Sequence, residues 1–165
     1  MSYSIIGGAD GPTSIFVAGQ SGSGWFNGYG LIFLILLLIP NIVYAVKYKD
    51  ATNKCTDKWA LVMEQIGRYG SMFFMVFIFG SMTQGWASVT EFMVYLLGST
   101  LLMVAYWIVW MLYFAEVSMW KSMALAIIPT LLFLVGGLIM RNAVAMALTV
   151  VFGIGHIYVT YKNQE

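Results

Sequence analysis

The chain has 165 residues, of which 61% are hydrophobic and 9% charged, with a formal net charge of +1. Soluble domains carry about 25% charged residues, so this chain has too few polar groups to cover a water-facing surface. Its near-neutral balance also lacks the basic footprint that nucleic acid requires. The composition is that of an all-α integral membrane protein. A single cysteine, Cys55, stands in a basic loop and has no second thiol for an internal disulfide.

The first element is Gly7-Gly8-Ala9-Asp10-Gly11-Pro12-Thr13. Its glycines allow turns that other residues avoid, Asp10 suits a helix N-cap and Pro12 suits a first helical turn. Residues 13–18 then read as a short apolar helix stopped by Gly19. At 1.5 Å rise per residue that helix is about 9 Å long, too short to cross a bilayer. It is expected either to re-enter the bundle or to lie at the interface. Bare backbone and a carboxylate at membrane depth would need protein or water around them. No basic residues precede an apolar core here and Asp10 interrupts the run, so a cleavable signal peptide is not expected.

Across residues 4–18 this GGADGPT wording resembles the signature segment of the β subunit of sodium-translocating decarboxylases. In that family the segment lies in a broken membrane helix and its aspartate is implicated in Na⁺ binding. The resemblance implies a Na⁺ role for Asp10, with Gly7, Gly8 and Thr13 beside it. The family's β subunit is more than twice as long and carries a second polar signature in later helices, for which this chain has no counterpart. The remainder, including the PNIVYAVK and IGRYG stretches, resembles small membrane proteins of Gram-positive anaerobes, which implies no function.

Residues 20–24 read as a flexible Gly/Ser linker, so the chain divides into an N-terminal segment, 1–24, and a transmembrane domain, 25–165. A bilayer core needs about 20 apolar residues in helix. Five stretches meet that need: 28–46, 61–82, 92–114, 122–140 and 143–161. Trp25 and Phe26 stand where an interfacial anchor would. Pro40 lies inside the first span and should free a carbonyl one turn earlier. Either the kink packs against a neighbour, or Asn41 and that carbonyl line a polar site. In the second span Glu64 and Arg68 are spaced i, i+4 and share a face. They read as a structural ion pair or as a pair lining a pathway. Gly67, Gly70 and Gly80 are expected to admit close helix neighbours. Tyr106, Trp107, Trp110 and Tyr113 form an aromatic stripe expected to pack or face lipid. Arg141-Asn142 is so short a turn that the last two spans must form an antiparallel hairpin. His156, the only histidine, lies near the end of the fifth span. It reads as a packed imidazole or a pathway residue, and without companion ligands it is not a metal site.

Lys47, Lys49, Lys54 and Lys58 make the loop after the first span basic. With that loop in the cytoplasm, Lys121 and Lys162 also fall inside and Arg141 alone falls outside. The expected topology is five spans in a bacterial inner membrane, N-terminus outside and C-terminus cytoplasmic.

No Walker loop, CxxC pair, HExxH or serine-nucleophile motif is present, and an enzyme acting alone is not expected. A membrane enzyme would require Glu64, Arg68, Glu91 or His156 to converge in one cavity. The function read from the sequence is a small Na⁺- or H⁺-linked transporter or a subunit of a transport complex. It would work as an oligomer, with no cofactor beyond Na⁺ itself. The alternative is an accessory, immunity or assembly membrane protein whose N-terminal segment binds a partner.

Overall fold

The computed structural model describes residues 25–49, 53–80 and 85–164. Five α-helices follow in order within them: α1 Gly28–Lys47, α2 Lys58–Val76, α3 Val89–Ala115, α4 Met119–Ile139 and α5 Ala143–Gln164. All five expected spans are helices. Four of these (α1, α3, α4 and α5) are long and apolar enough to cross a membrane. The segments 1–24, with Gly7, Gly8, Asp10 and Thr13, lie outside the described residues.

The first three starts have a local cause. Asn27, Asp57 and Ser88 are extended residues whose side-chain oxygens accept from N–H groups of the first turns of α1, α2 and α3. At α3 the Glu91 carboxylate also reaches back to accept from the Ala87 N–H at 2.8 Å. Lys121, buried at the α3–α4 corner, donates its ammonium to the Leu112 and Glu116 carbonyls at 3.1 and 2.7 Å. The Leu112 carbonyl also accepts from the Glu116 N–H at 3.1 Å, so the lysine adds a cation where the α3 C-terminus favours one.

The second span ends earlier than its sequence pattern indicates, at Val76 rather than near residue 82. The chain ahead of α1 competes for its backbone. The Asn27 N–H donates to the Val76 carbonyl at 2.7 Å and the Ile78 N–H to the Trp25 carbonyl at 2.8 Å. Phe26 and Phe77 thus form an isolated antiparallel bridge. Trp25 stacks on Phe77 with ring centres 5.9 Å apart, so the interfacial aromatics expected as lipid anchors also fasten two chain segments together.

The α4–α5 hairpin forms as expected. Arg141 takes a left-handed conformation, φ 53°. Its N–H donates to the Leu138 carbonyl and that of Asn142 to the Gly137 carbonyl at 2.9 Å, closing a Schellman turn. The position favours glycine, but only a long side chain can reach Glu91 on α3, with which the Arg141 guanidinium pairs. Asn142 is buried, and its side-chain oxygen caps α5 by accepting from the Ala145 N–H at 2.9 Å. Asn142→Ala should therefore cost about 1–2 kcal/mol, read as a lower Tm in detergent. An unchanged Tm would show that the cap is dispensable.

Helix α5 packs most extensively on α2 and α4, α3 packs on α4, and α1 lies across α2 and α3. The core is built on a seam of α3 (Phe92, Tyr95, Ser99, Met103, Tyr106, Trp110 and Tyr113) with Phe33 and Leu37 of α1 and Leu132, Phe133 and Phe152 beyond it. The outward face of the same helix is equally apolar: Leu97, Leu101, Val104, Ile108 and Met111 are exposed. Exposed apolar side chains on every helix suit a lipid solvent rather than water. Because the helices alternate in direction, Lys47, Lys49, Lys54, Lys58, Lys121 and Lys162 gather at one end and Arg141 lies at the other.

Candidate functional site

The chemistry of the bundle is concentrated on the inner face of α2. Its buried residues are Ala60, Glu64, Gly67, Ser71, Met75 and Val76, small or polar for the most part and spaced by three or four. Its outer face carries Trp59, Val62, Ile66, Tyr69 and Phe73, all exposed. This inside-out arrangement explains why α2 is less apolar on average than its neighbours. A helix bound for a soluble core would present the reverse.

Close packing holds this stripe against α5. Gly67 lies on the backbone of Phe152, and Gly155 lies on the backbone of Glu64. Ser71 and Thr149 meet across the same seam at 3.2 Å. Gly70 faces the side chain of Leu148, whereas at Gly80 an added Cβ would meet nothing within 4 Å among the described residues.

Glu64 is 4% exposed. One of its oxygens, Oε1, accepts from both partners that surround it: the Arg68 guanidinium one turn along α2, and His156 Nδ1 of α5 at 2.8 Å. The imidazole lies flat on Phe152, ring centres 4.9 Å apart. With Glu64 ionised, this bond places the histidine proton on Nδ1 and leaves Nε2 as a lone pair. A buried carboxylate needs such partners, because an uncompensated charge in lipid-like surroundings is costly. The ionised Glu64 and Arg68 cancel in charge, and the imidazole sets a second ring nitrogen beside them.

A second polar unit adjoins it. Pro40 cannot bond the Leu36 carbonyl, and the Trp107 indole N–H donates to that carbonyl at 3.2 Å. The kink is thus packed and satisfied by a neighbour. Asn41 behaves differently. Its amide bridges the Leu37 carbonyl at 2.8 Å and the Tyr106 hydroxyl at 2.7 Å. Asn41 and His156 line one cavity, so the two polar units adjoin through it.

The cavity they share, of about 200 Å³, lies among α1, α3, α4 and α5. Thr160, Asn163 and Gln164 carry it toward the lysine-rich end. Toward the other end the interior closes. There Asn27, Ser71, Tyr95, Asn142 and Thr149 surround a space of about 10 Å³, enough for roughly one water. Phe133 and Phe152, ring centres 5.8 Å apart, pack on the seam that separates this space from His156.

Glu64 and Arg68, one turn apart on α2, are thus brought together with the sequence-distant His156, and Asn41 joins them through the cavity. Glu91 is not: it pairs with Arg141 at the opposite end. Among the described residues no group of three or more His, Cys, Asp or Glu side chains is placed to hold a metal ion. Asp10, Gly7, Gly8 and Thr13 lie outside the described residues. Sequence reasoning missed Tyr106 and Trp107 as polar partners, because an aromatic stripe reveals its hydroxyl and N–H roles only when the kinked helix opposite is known. Four long apolar helices with lipid-suited outer faces decide the broad class. This is a helical membrane protein. No family model, no curated protein and no solved structure matches the chain.

Proposed function

We propose that the chain is a small proton-linked membrane transporter, or the membrane subunit of a transport complex, in which Glu64 and His156 carry the proton. One observation supports this above the others: a buried carboxylate bonded to the only histidine, which itself lines a cavity running to one end of the bundle. Ionisable groups inside a membrane bundle are expensive and mark ion paths more often than they stabilise. Helix α2 is read as a fifth span, polar inward and apolar outward. The lysine-rich end is read as cytoplasmic by the positive-inside rule in a bacterial inner membrane, which puts residue 25 near the outer face. A bundle of this size is expected to act as an oligomer or beside a partner subunit, and as a carrier rather than an enzyme.

The test is proton entry into proteoliposomes under an inside-negative potential, followed by a trapped pH dye. Wild type should exceed Glu64→Gln by about tenfold or more, the scale of losing a required proton carrier. Equal rates would end the proposal. The sodium reading rests on Asp10, with Gly7, Gly8 and Thr13 beside it. It has its own arm, in which ²²Na⁺ uptake by wild type should exceed that by Asp10→Asn.

A further inference from the structure

The cavity beside His156 has a composition that points to its occupant. Among the described residues its lining contains no Asp, Glu, Lys or Arg. A buried ion without an opposite charge is strongly disfavoured, so neither an organic cation nor an anion suits it. One wall is aromatic: Tyr44, Trp110 and Tyr113 converge with ring centres 5.5 to 5.9 Å apart. The rest of the lining offers amides and hydroxyls, chiefly Asn41, Thr160 and Asn163. Asn41 has both amide hydrogens on Leu37 and Tyr106, and Asn163 Oδ1 accepts from the Lys54 and Cys55 N–H groups, which leaves Asn41 Oδ1 to accept and Asn163 Nδ2 to donate, a match for the edge of a molecule that does both. The volume, about 200 Å³, admits a compound of single-ring or fused-ring size but nothing as large as a nucleotide.

We infer that this cavity binds a small neutral heteroaromatic compound of nucleobase type, its face against the Tyr44–Trp110–Tyr113 wall and its polar edge toward Asn41 and Asn163. His156 is the one side chain that both lines the cavity and bonds Glu64. A ligand N–H beside the imidazole can donate to its Nε2 lone pair and is therefore one hydrogen bond from the proton-carrying pair. Binding stands on the cavity alone. Only the coupling of ligand to proton rests on the transport reading.

The experiment uses the full chain in nanodiscs and measures tryptophan-fluorescence quenching together with calorimetric binding. The probes are uracil, adenine and nicotinamide, compared with toluene, benzoate and tetraphenylphosphonium. Saturable binding of at least one of the three neutral heteroaromatics is expected, in preference to the ring without a polar edge and to both ions. Trp110→Ala should weaken it about tenfold or more, the loss expected for removing a stacking ring, while Trp110→Phe keeps most of the affinity. Asn41→Ala and Thr160→Val, which leave the wall intact, provide a second route should Trp110→Ala fold poorly, and should also reduce affinity. No saturable binding by folded protein, binding led by the cation or the anion, or binding indifferent to both the wall and the amide variants would overturn the inference. Ring binding with wall dependence but no Glu64-dependent proton entry would leave the site standing and defeat the transport reading. The reverse pattern would do the opposite.

Discussion

Replacing Gly67 with alanine should pry the bundle open at the seam that carries the site. A Cβ at this position would lie 2.6 Å from the Phe152 Cα and closer still to its backbone nitrogen. Both obstacles are main chain on a neighbouring helix, so no rotamer change can clear them. The helices must separate, and with them the Ser71–Thr149 contact and the Glu64–His156 bond on the same seam. Separation forfeits the close packing on which helix association in lipid relies, since lipid tails are as apolar as the helices themselves. A loss of roughly 3 kcal/mol, on the order of 10 °C in Tm, is expected. Gly155→Ala should act in the same direction, its Cβ falling 2.8 Å from the Glu64 nitrogen. Gly98 supplies the control. Among the described residues nothing lies within 4 Å of a Cβ there, so Gly98→Ala should leave Tm unchanged or raise it by the helix-propensity gain of about 0.5–1 kcal/mol. The account fails if Gly67→Ala and Gly98→Ala melt alike in detergent.

The helices were legible because lipid imposes a length and an apolarity that few other structures share. The starts of α1 and α5 match the sequence reading, and α3 and α4 begin within three residues of it. Helix α2 was legible at its start and not at its end. Apolar residues continue past Val76, so no composition change marks the stop. The stop comes from Trp25, Phe26 and Asn27, some fifty residues earlier, whose backbone takes the hydrogen bonds the helix would have made. Pairing of that kind has no periodicity to read.

The site was legible one helix at a time. The i, i+4 spacing placed Glu64 and Arg68 together, and the ion pair they form follows from helix geometry alone. That His156 completes it depends on which face of α5 meets α2. Gly67 and Gly155 decide this by letting the two backbones come close. Small residues signal that an approach occurs, not which helix approaches. At Pro40 the two readings left open by the sequence divide between two groups: the freed carbonyl is taken by Trp107, while Asn41 faces Tyr106 and the cavity.

Removing Glu64 alone should cost far more stability than removing it together with Arg68. In Glu64→Leu the guanidinium loses its counter-charge and His156 loses its acceptor. Breaking a buried pair from one side costs about 3–5 kcal/mol, because the surviving charge is left uncompensated. Arg68 keeps 32% of its side chain exposed, which places the loss near the lower figure, roughly 3 kcal/mol. In Glu64→Leu/Arg68→Met no charge remains to be compensated, and apolar side chains of similar bulk fill the seam. Such replacements are commonly neutral or stabilising, so the double variant should recover most of the Tm lost by the single one. A double-mutant cycle by thermal melting measures this directly, and additive losses would show that the two charges do not compensate each other. The same cycle separates stability from function. The double variant should melt like wild type and still admit no protons above the Glu64→Gln level, because it restores packing without restoring a titratable carboxylate beside His156. Should proton entry return along with the Tm, Glu64 is a structural anchor and the proton takes another route.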